Sequence, residues 1–535
     1  MKGRVVASPA TASLWTLPSE VLVSLLSQWI ALPDLMKLDK ALKLDTDRAV
    51  FRRLLRDDGF LLPERRHLEW QSFSILRWMW QRRVACEAFQ LTRRINDDFA
   101  LLLSYLNECG ASLRCLDAGC ERLLLSASRL RQVLGRCPNL CVLVNVDLAD
   151  LTEAGMRLVR KCGVRKLGIK SLSGTLLRRQ IVAAMVGVQG GAWNAGGVGS
   201  VGDGVGVGDS LLEELSIDLL DASVSEEDVI AIAQSCPRLR SLHLSGALTA
   251  SALRALARCC PLSYLSARAE GWVDTELALL AACPLEEFRV QLHTCTITPV
   301  ALDALTLCPL RVLELHGCGA LGPQSLRSIA RNCRSLWELD LGGTYDSLSE
   351  EQALLDILGN NPLRRVDLSE TCTSRVGTAV ISALGGCSEL REVRLQDVPL
   401  CDESVGAFAR GCPHLHTLVL NRESDAHPQA LTDAAFVSLS PCPLHTLGLA
   451  GLTVGEEGLI ALARCPLREV DLSRGGVTER GVLALADCQS LVRVQLWGLY
   501  LSSLAIEKVM DRVGGNLERE CGGEREVQVQ GISWH

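Results

Sequence analysis

The sequence predicts an α/β solenoid in which each repeat supplies one short strand and one helix, the strands lying parallel. Three observations predict it. A cysteine recurs along most of the chain at near-constant spacing, an aliphatic strand signature follows each cysteine, and a helical pattern fills the rest of each step.

The cysteines come first. Cys109, Cys137, Cys162, Cys236, Cys260, Cys283, Cys308, Cys333, Cys387, Cys412, Cys442, Cys465 and Cys488 share one repeat position, and Asn361 takes that place between Cys333 and Cys387. From Cys236 onward the steps are 23 to 30 residues, which brackets the leucine-rich-repeat period of roughly 20–29. Leu-x-x-Leu-x-Leu follows, as in Leu239, Leu242 and Leu244, in Leu310, Leu313 and Leu315, and in Leu467, Val470 and Leu472. The alternation of its last residues is that of a strand with one buried face. Thr453-Val454-Gly455-Glu456 and Ser349-Glu350-Glu351-Gln352 read as capping boxes that open helices. Leu459, Leu462 and Ala463 continue one of them at helical spacing. Each helix ends near the next cysteine, and Pro follows that cysteine in eight repeats, where it stops the helix.

About fifteen repeats fit between Cys109 and Asp511, and they must stack because one repeat cannot bury its own faces. The expected form is a horseshoe with the strands on the concave face and the helices outside. With 48% hydrophobic residues in 535, the chain has ample material for such a core. The cysteines are then small buried hydrophobes. Cys109, Cys115, Cys120 and the Cys259-Cys260 pair have no Cys-x2-Cys knuckle beside them, so zinc is not expected.

Net charge −7 and a pI near 5.8 do not support a nucleic-acid or anionic-membrane footprint, which would need a basic face. No run approaches the ~18 apolar residues of a membrane span, and residues 1–15 make a poor secretory signal. The expected location is cytoplasmic or nuclear. No His-Glu-x-x-His, P-loop or Gly-x-Ser-x-Gly is present, and the nine histidines are scattered. His416 and His445 share a repeat position, which reads as an exposed rim. Neither an enzyme nor a cofactor is expected.

The ends depart from the repeat. Residues 14–57 read as three short helices: Leu17-Pro18-Ser19-Glu20-Val21-Leu22 opens the first, Leu32-Pro33-Asp34-Leu35 restarts the pattern, and Phe51, Leu54 and Leu55 mark the third. Residues 58–108 link and cap; Trp70, Phe73, Trp78 and Trp80 with Arg77, Arg82 and Arg83 read as a helix packed on the first repeat. The repeats fill 109–513, and 514–535 is a polar tail. An insert at 187–208 is nearly half Gly. Gly197-Val198-Gly199-Ser200-Val201-Gly202 fits G-x-G-x-x-G by letter only, because no βαβ unit surrounds it; a flexible loop is expected.

The pattern Cys-Pro-x-Leu-x-x-Leu-x-Leu followed by Leu-Thr-x-x-Gly-Leu-x-x-Leu-Ala, carried by residues 236–256 and 412–439, resembles the cysteine-containing repeats of F-box/leucine-rich-repeat proteins. Residues 14–57 resemble a divergent F-box. Leu17, Pro18, Val21, Leu22, Leu25 and Leu35 match its apolar pattern, whereas Asp39-Lys40-Ala41-Leu42-Lys43-Leu44 replaces the usual Val-Ser/Cys-Lys-x-x-Trp. The resemblance implies that these six residues bind a Skp-type adaptor of a cullin complex. It implies a substrate receptor of an SCF ubiquitin ligase acting in ubiquitin-dependent protein catabolism. The alternatives are a repeat scaffold without ubiquitin role, whose N-terminal helices only cap the solenoid, and a regulator of a small GTPase, for which no motif speaks.

The target would meet the strand face. In Leu-x-x-Leu-x-Leu-x the third, fifth and seventh residues point away from the core. Position five reads Arg289, Glu314, Asp340, Asp367 and Arg394 in consecutive repeats, and position three adds Glu338. Strands ~4.8 Å apart would gather Glu314, Glu338, Asp340 and Asp367 into an acidic patch bordered by Arg289, Arg365 and Arg394. Such a patch is either a solvated charged face or a dock for a target with a basic segment.

Overall fold

The computed structural model describes residues 22, 26, 32–42, 45–55, 61–62, 73–91, 99–118, 126–147, 151–171, 182, 184–185, 210–219, 224–291, 298–317, 321–343, 351–370, 378–423, 431–499, 501–502, 504–509 and 511–513. The chain divides into two compact units, Met1–Gly246 and Ala247–His535.

In the first unit the strands β1 (Ala88–Gln90), β2 (Cys115–Asp117), β3 (Val142–Asp147), β4 (Lys166–Ser171), β5 (Glu214–Leu219) and β6 (Ser241–Thr249, its last three residues counted with the second unit) pair in parallel, each with the next. β4 and β5 run in unbroken register from Lys166 opposite Glu214 to Ser171 opposite Leu219. The connection that holds the glycine-rich insert therefore joins two neighbouring strands. The insert itself, residues 187–208, lies outside the described residues, as does 514–535.

The second unit repeats the arrangement with β7 (Tyr264–Glu270), β8 (Glu287–Gln291), β9 (Val312–Glu314), β10 (Glu338–Asp340), β11 (Arg365–Asp367), β12 (Glu392–Arg394), β13 (Thr417–Val419), β14 (Thr446–Gly448), β15 (Glu469–Asp471) and β16 (Arg493–Gln495), all parallel neighbours. A helix follows each of β7 to β15, for example Pro323–Asn332 after β9 and Asp402–Gly411 after β12. This is a leucine-rich-repeat solenoid, as the cysteine period predicts. The three Leu-x-x-Leu-x-Leu sets quoted above are all buried.

The periodic cysteines sit between helix and strand. All are buried except Cys162, which is half-buried. Their thiols do more than fill space. Cys412 Sγ donates to the Leu384 carbonyl at 3.3 Å, Cys465 to Leu439 at 3.5 Å and Cys387 to Leu358 at 3.5 Å. Each carbonyl belongs to the end of the preceding repeat's helix, where such groups lack an intrahelical partner. Asn361 makes a different bridge: its Oδ1 accepts from Leu336 N–H at 3.0 Å and its Nδ2 donates to Ile357 at 2.9 Å. The weakly polar thiol thus stitches successive repeats.

The turns after the strands share another device. The residue three places beyond position five has positive φ in seven repeats: Gly317, Gly343, Glu370, Asp397, Gly451, Arg474 and Gly498. Glycine suits the left-handed region; the three others adopt it at a steric cost. Helix starts are capped as the sequence type predicts at Thr152, Ser225, Thr249, Thr432 and Thr478, whose hydroxyls accept backbone N–H groups. The expected capping box at Thr453 is corrected. Thr453–Val454 is a short strand paired with Gly476–Val477, and Gly455 is the N-cap. Asp433 Oδ1 of the previous helix takes the Gly455 N–H at 2.7 Å, so no hydroxyl is needed there. Ser349 lies outside the described residues.

Candidate protein-binding face

Register places the charged residues of the strand face. Arg289 lies opposite Glu314, Glu314 opposite Asp340, Asp340 opposite Asp367, and Asp367 opposite Arg394. At position three, Glu338 lies opposite Arg365 and Arg365 opposite Glu392. The four expected acids are therefore neighbours, as spacing requires.

They do not form a field of one sign. Arg289 reaches across β9, bonding Glu314 and holding both Glu338 oxygens at 2.9 and 2.7 Å. Arg365 takes Glu338 at 2.7 Å and lies 3.4 Å from Glu392, and Arg394 donates to Glu392 at 2.8 Å. The result is an ion-pair chain, Glu314–Arg289–Glu338–Arg365–Glu392–Arg394, running over five strands. The expectation of an acidic patch bordered by arginines is corrected for two of its four acids: Arg289 and Arg365 pair with Glu314 and Glu338. Long side chains on both partners permit this, since Arg289 and Glu338 lie two strands apart and meet over β9, and the guanidinium presents several donors in a fork.

Asp340 and Asp367 have a second role. Asp340 Oδ1 accepts the Gly342 N–H at 2.8 Å and Asp367 Oδ1 accepts that of Ser369 at 2.9 Å. Asp471 does the same with Ser473 at 2.9 Å. A carboxylate bonding its own backbone two residues on is an Asx turn. These aspartates shape the turn that leaves each strand, so the expectation that they simply face solvent is corrected as well. The signal was in the sequence: Asp340-Leu341-Gly342, Asp367-Leu368-Ser369 and Asp471-Leu472-Ser473 recur at one repeat position.

The electrostatics follow from this sharing. Burial pushes the Glu314 carboxyl up to about 7, against the pull of Arg289, with Glu338 and Asp340 adding to the rise. Burial pushes Glu338 upward, yet Arg289 and Arg365 together hold its carboxyl below the ordinary range. One guanidinium shared by two carboxylates favours one ionised form over the other. Burial and neighbouring Asp340 raise Asp367. His316 is raised, first by the neighbouring Asp340 carboxylate, whose Oδ1 lies 3.8 Å from Nδ1.

His416 and His445, expected on an exposed rim, are half-buried and stacked at 5.1 Å. Burial lowers His445, and neighbouring His416 and Arg468 add to it. Among the described residues no group of three or more His, Cys, Asp or Glu could hold a metal, and no helix is long and apolar enough to cross a membrane.

At the N-terminus, Leu17, Pro18, Val21 and Leu25 lie outside the described residues. Leu22 is 2% and Leu35 0% exposed. These two are buried rather than offering an apolar surface, which corrects the expectation that they meet an adaptor directly. Phe51, Leu54 and Leu55 are buried too. Asp39 fastens the segment to helix Phe73–Arg82: its carboxylate accepts from Trp78 Nε1 at 3.0 Å and pairs with Arg82 at 2.6 Å. That helix packs on Phe99–Cys109, as expected of a cap. The stretch that departs from the F-box pattern thus supplies the anchor, which sequence reasoning missed.

No family model matches the chain, and neither does any curated protein. Two solved structures are similar to it. A leucine-rich-repeat protein of Leptospira interrogans is 15% identical, the match covering 73% of this chain and 95% of that one, at a TM-score of 0.36. A chain of the yeast Rad7 and Elc1 complex is 19% identical over 45% of this chain and 77% of its own, at a TM-score of 0.29. The ladder of parallel strands, most of them preceded by the periodic cysteine, is what makes this chain a leucine-rich-repeat solenoid.

Proposed function

We propose that the chain is a protein-interaction receptor whose strand face in the second unit holds a target, and whose N-terminal helices recruit a Skp-type adaptor of a cullin complex. On this reading it is the substrate-recognition subunit of an SCF-type ubiquitin ligase, working in the cytoplasm or nucleus. The observation that carries it is the ion-pair chain from Glu314 to Arg394. Charged side chains fixed by mutual bonds have already lost their rotamer freedom, so a partner that docks on them gives up less entropy. The adaptor role is supported by the F-box-like pattern of residues 14–57 and by the Asp39 anchor, which would pass an adaptor's hold on to the first repeats. Catalysis would lie on other subunits.

The test is direct. Purified full-length chain and a purified Skp-type adaptor are mixed and followed by size exclusion and calorimetry. A stoichiometric complex is expected. Absence of any complex removes the ubiquitin role and leaves a repeat scaffold whose N-terminal helices are a cap.

A further inference from the structure

The residue immediately before each strand forms a row of its own. In the second unit it reads Arg311, Trp337, Arg364, Arg391, His416, His445 and Arg468 in consecutive repeats. Backbone bonds make them neighbours. Trp337 N–H donates to Arg311, Arg364 to Trp337, Arg391 to Arg364, His416 to Arg391, His445 to His416 and Arg468 to His445, all between 2.6 and 2.8 Å. Side chains touch along the row: the Arg364 guanidinium lies over the Trp337 ring at 5.7 Å, and the two histidines stack. Arg311, Trp337, Arg364, Arg391 and Arg468 are exposed.

The row is cationic without local compensation at its centre. Arg311 pairs with Glu286 at 3.3 Å, but among the described residues no carboxylate pairs with Arg364 or Arg391. The reason lies one position along each strand. Glu338 and Glu392 are taken by Arg289, Arg365 and Arg394, and Glu469 by Arg493 at 2.8 Å. In a chain of net charge −7, these arginines are cations that the fold leaves for something else.

We infer that this strand-start edge binds an extended acidic segment of another protein, seated on Arg364 and Arg391 with Trp337 beside them. Seven strands ~4.8 Å apart span roughly 29 Å, the length of about nine extended residues. A guanidinium stacked on an indole keeps its in-plane donors for carboxylates. A nucleic acid fits less well, because a phosphodiester backbone needs a broad basic face and the row is flanked by Glu338, Glu392 and Glu469. The inference deepens the receptor reading: it rests on the strand side receiving a protein, and it reverses the partner charge that position five alone suggested.

The test uses the full chain and a fluorescein-labelled decapeptide of alternating Glu and Ser, read by anisotropy at low and high salt. Binding should weaken with salt, and Arg364→Ala with Arg391→Ala should raise Kd about tenfold or more, with an unchanged melting temperature. Arg157→Ala with Arg480→Ala removes the same charge at two other exposed sites, with side chains 63% and 84% exposed; it should leave Kd within about twofold. Equal loss in both double variants, no peptide binding at all, or tighter binding of an oligothymidylate of the same length each overturns the inference. Adaptor binding scored on the same proteins separates the two readings. If the adaptor fails while the peptide holds, the ubiquitin role falls and the acidic-segment site stands.

Discussion

Replacing Arg289 with Met keeps the apolar stem and removes the charge that ties β8 to β9 and β10. Glu314 then loses its guanidinium partner, and Glu338 keeps only Arg365. The side chains of Arg289, Glu314 and Glu338 are 22%, 20% and 10% exposed. Breaking an exposed pair costs ~0–1 kcal/mol, and breaking a buried one about 3–5. This site lies between, so a loss of about 2–3 kcal/mol is expected at pH 8. The pH dependence carries a sign. In the native chain Glu314 is raised to about 7, above an unfolded value near 4.3, so its contribution is full below the unfolded value and lost as pH rises through the folded one. Glu338 is lowered, so its contribution is present above the unfolded value and lost as pH falls. Without Arg289 the stabilising effect at Glu338 shrinks and the repulsion remains. The difference between native and variant chains should therefore be largest near pH 8 and smallest near pH 5. Urea unfolding at the two pH values measures it, with hydrogen exchange at the β9 and β10 amides as a local readout. A difference below about 0.5 kcal/mol at pH 8, or one independent of pH, would refute the shared-guanidinium account.

The remaining predictions concern the thiols, the turns and the insert. Burial pushes the Cys137, Cys333, Cys412 and Cys465 thiols up to about 12, so thiol titration of native protein at pH 8 should find few fast groups, and unfolded protein should approach all 23; several native disulfides would contradict the fold account. Asp340→Ala should cost about 1 kcal/mol by orphaning the Gly342 N–H, whereas Asp340→Asn keeps the acceptor and should cost less than half of that, equal losses being evidence against the Asx turn. Replacing residues 187–208 with a short Gly-Ser linker should leave the melting temperature nearly unchanged, since β4 and β5 already pair across that connection; a fall of several degrees would show that the insert packs.

Charge was where position reading and structure parted. Position five gave Glu314, Asp340 and Asp367 as one acidic cluster, and their adjacency followed from the period alone. The pairing of Glu314 and Glu338 with arginine did not. It depends on Arg289 crossing a whole strand to Glu338, a reach that no local pattern encodes, because a flexible side chain can choose among several partners until its neighbours are fixed. The aspartate turns were legible in the recurring Asp-Leu-Gly/Ser tripeptides, had hydrogen bonding been weighed beside charge.

By itself the sequence determined the repeat, the strand and helix of each step, and the buried place of the cysteines. All of these follow from hydrophobic periodicity, and periodicity is a local property that survives in one dimension. Only the tertiary structure decided which charges pair, that Asp39 fastens the N-terminal helices through Trp78 and Arg82, that Leu22 and Leu35 are interior, and that among the described residues no carboxylate pairs with Arg364 or Arg391. Those outcomes turn on distances between residues tens of positions apart, where Coulomb energy and desolvation change within a few ångströms and sequence spacing carries no such measure.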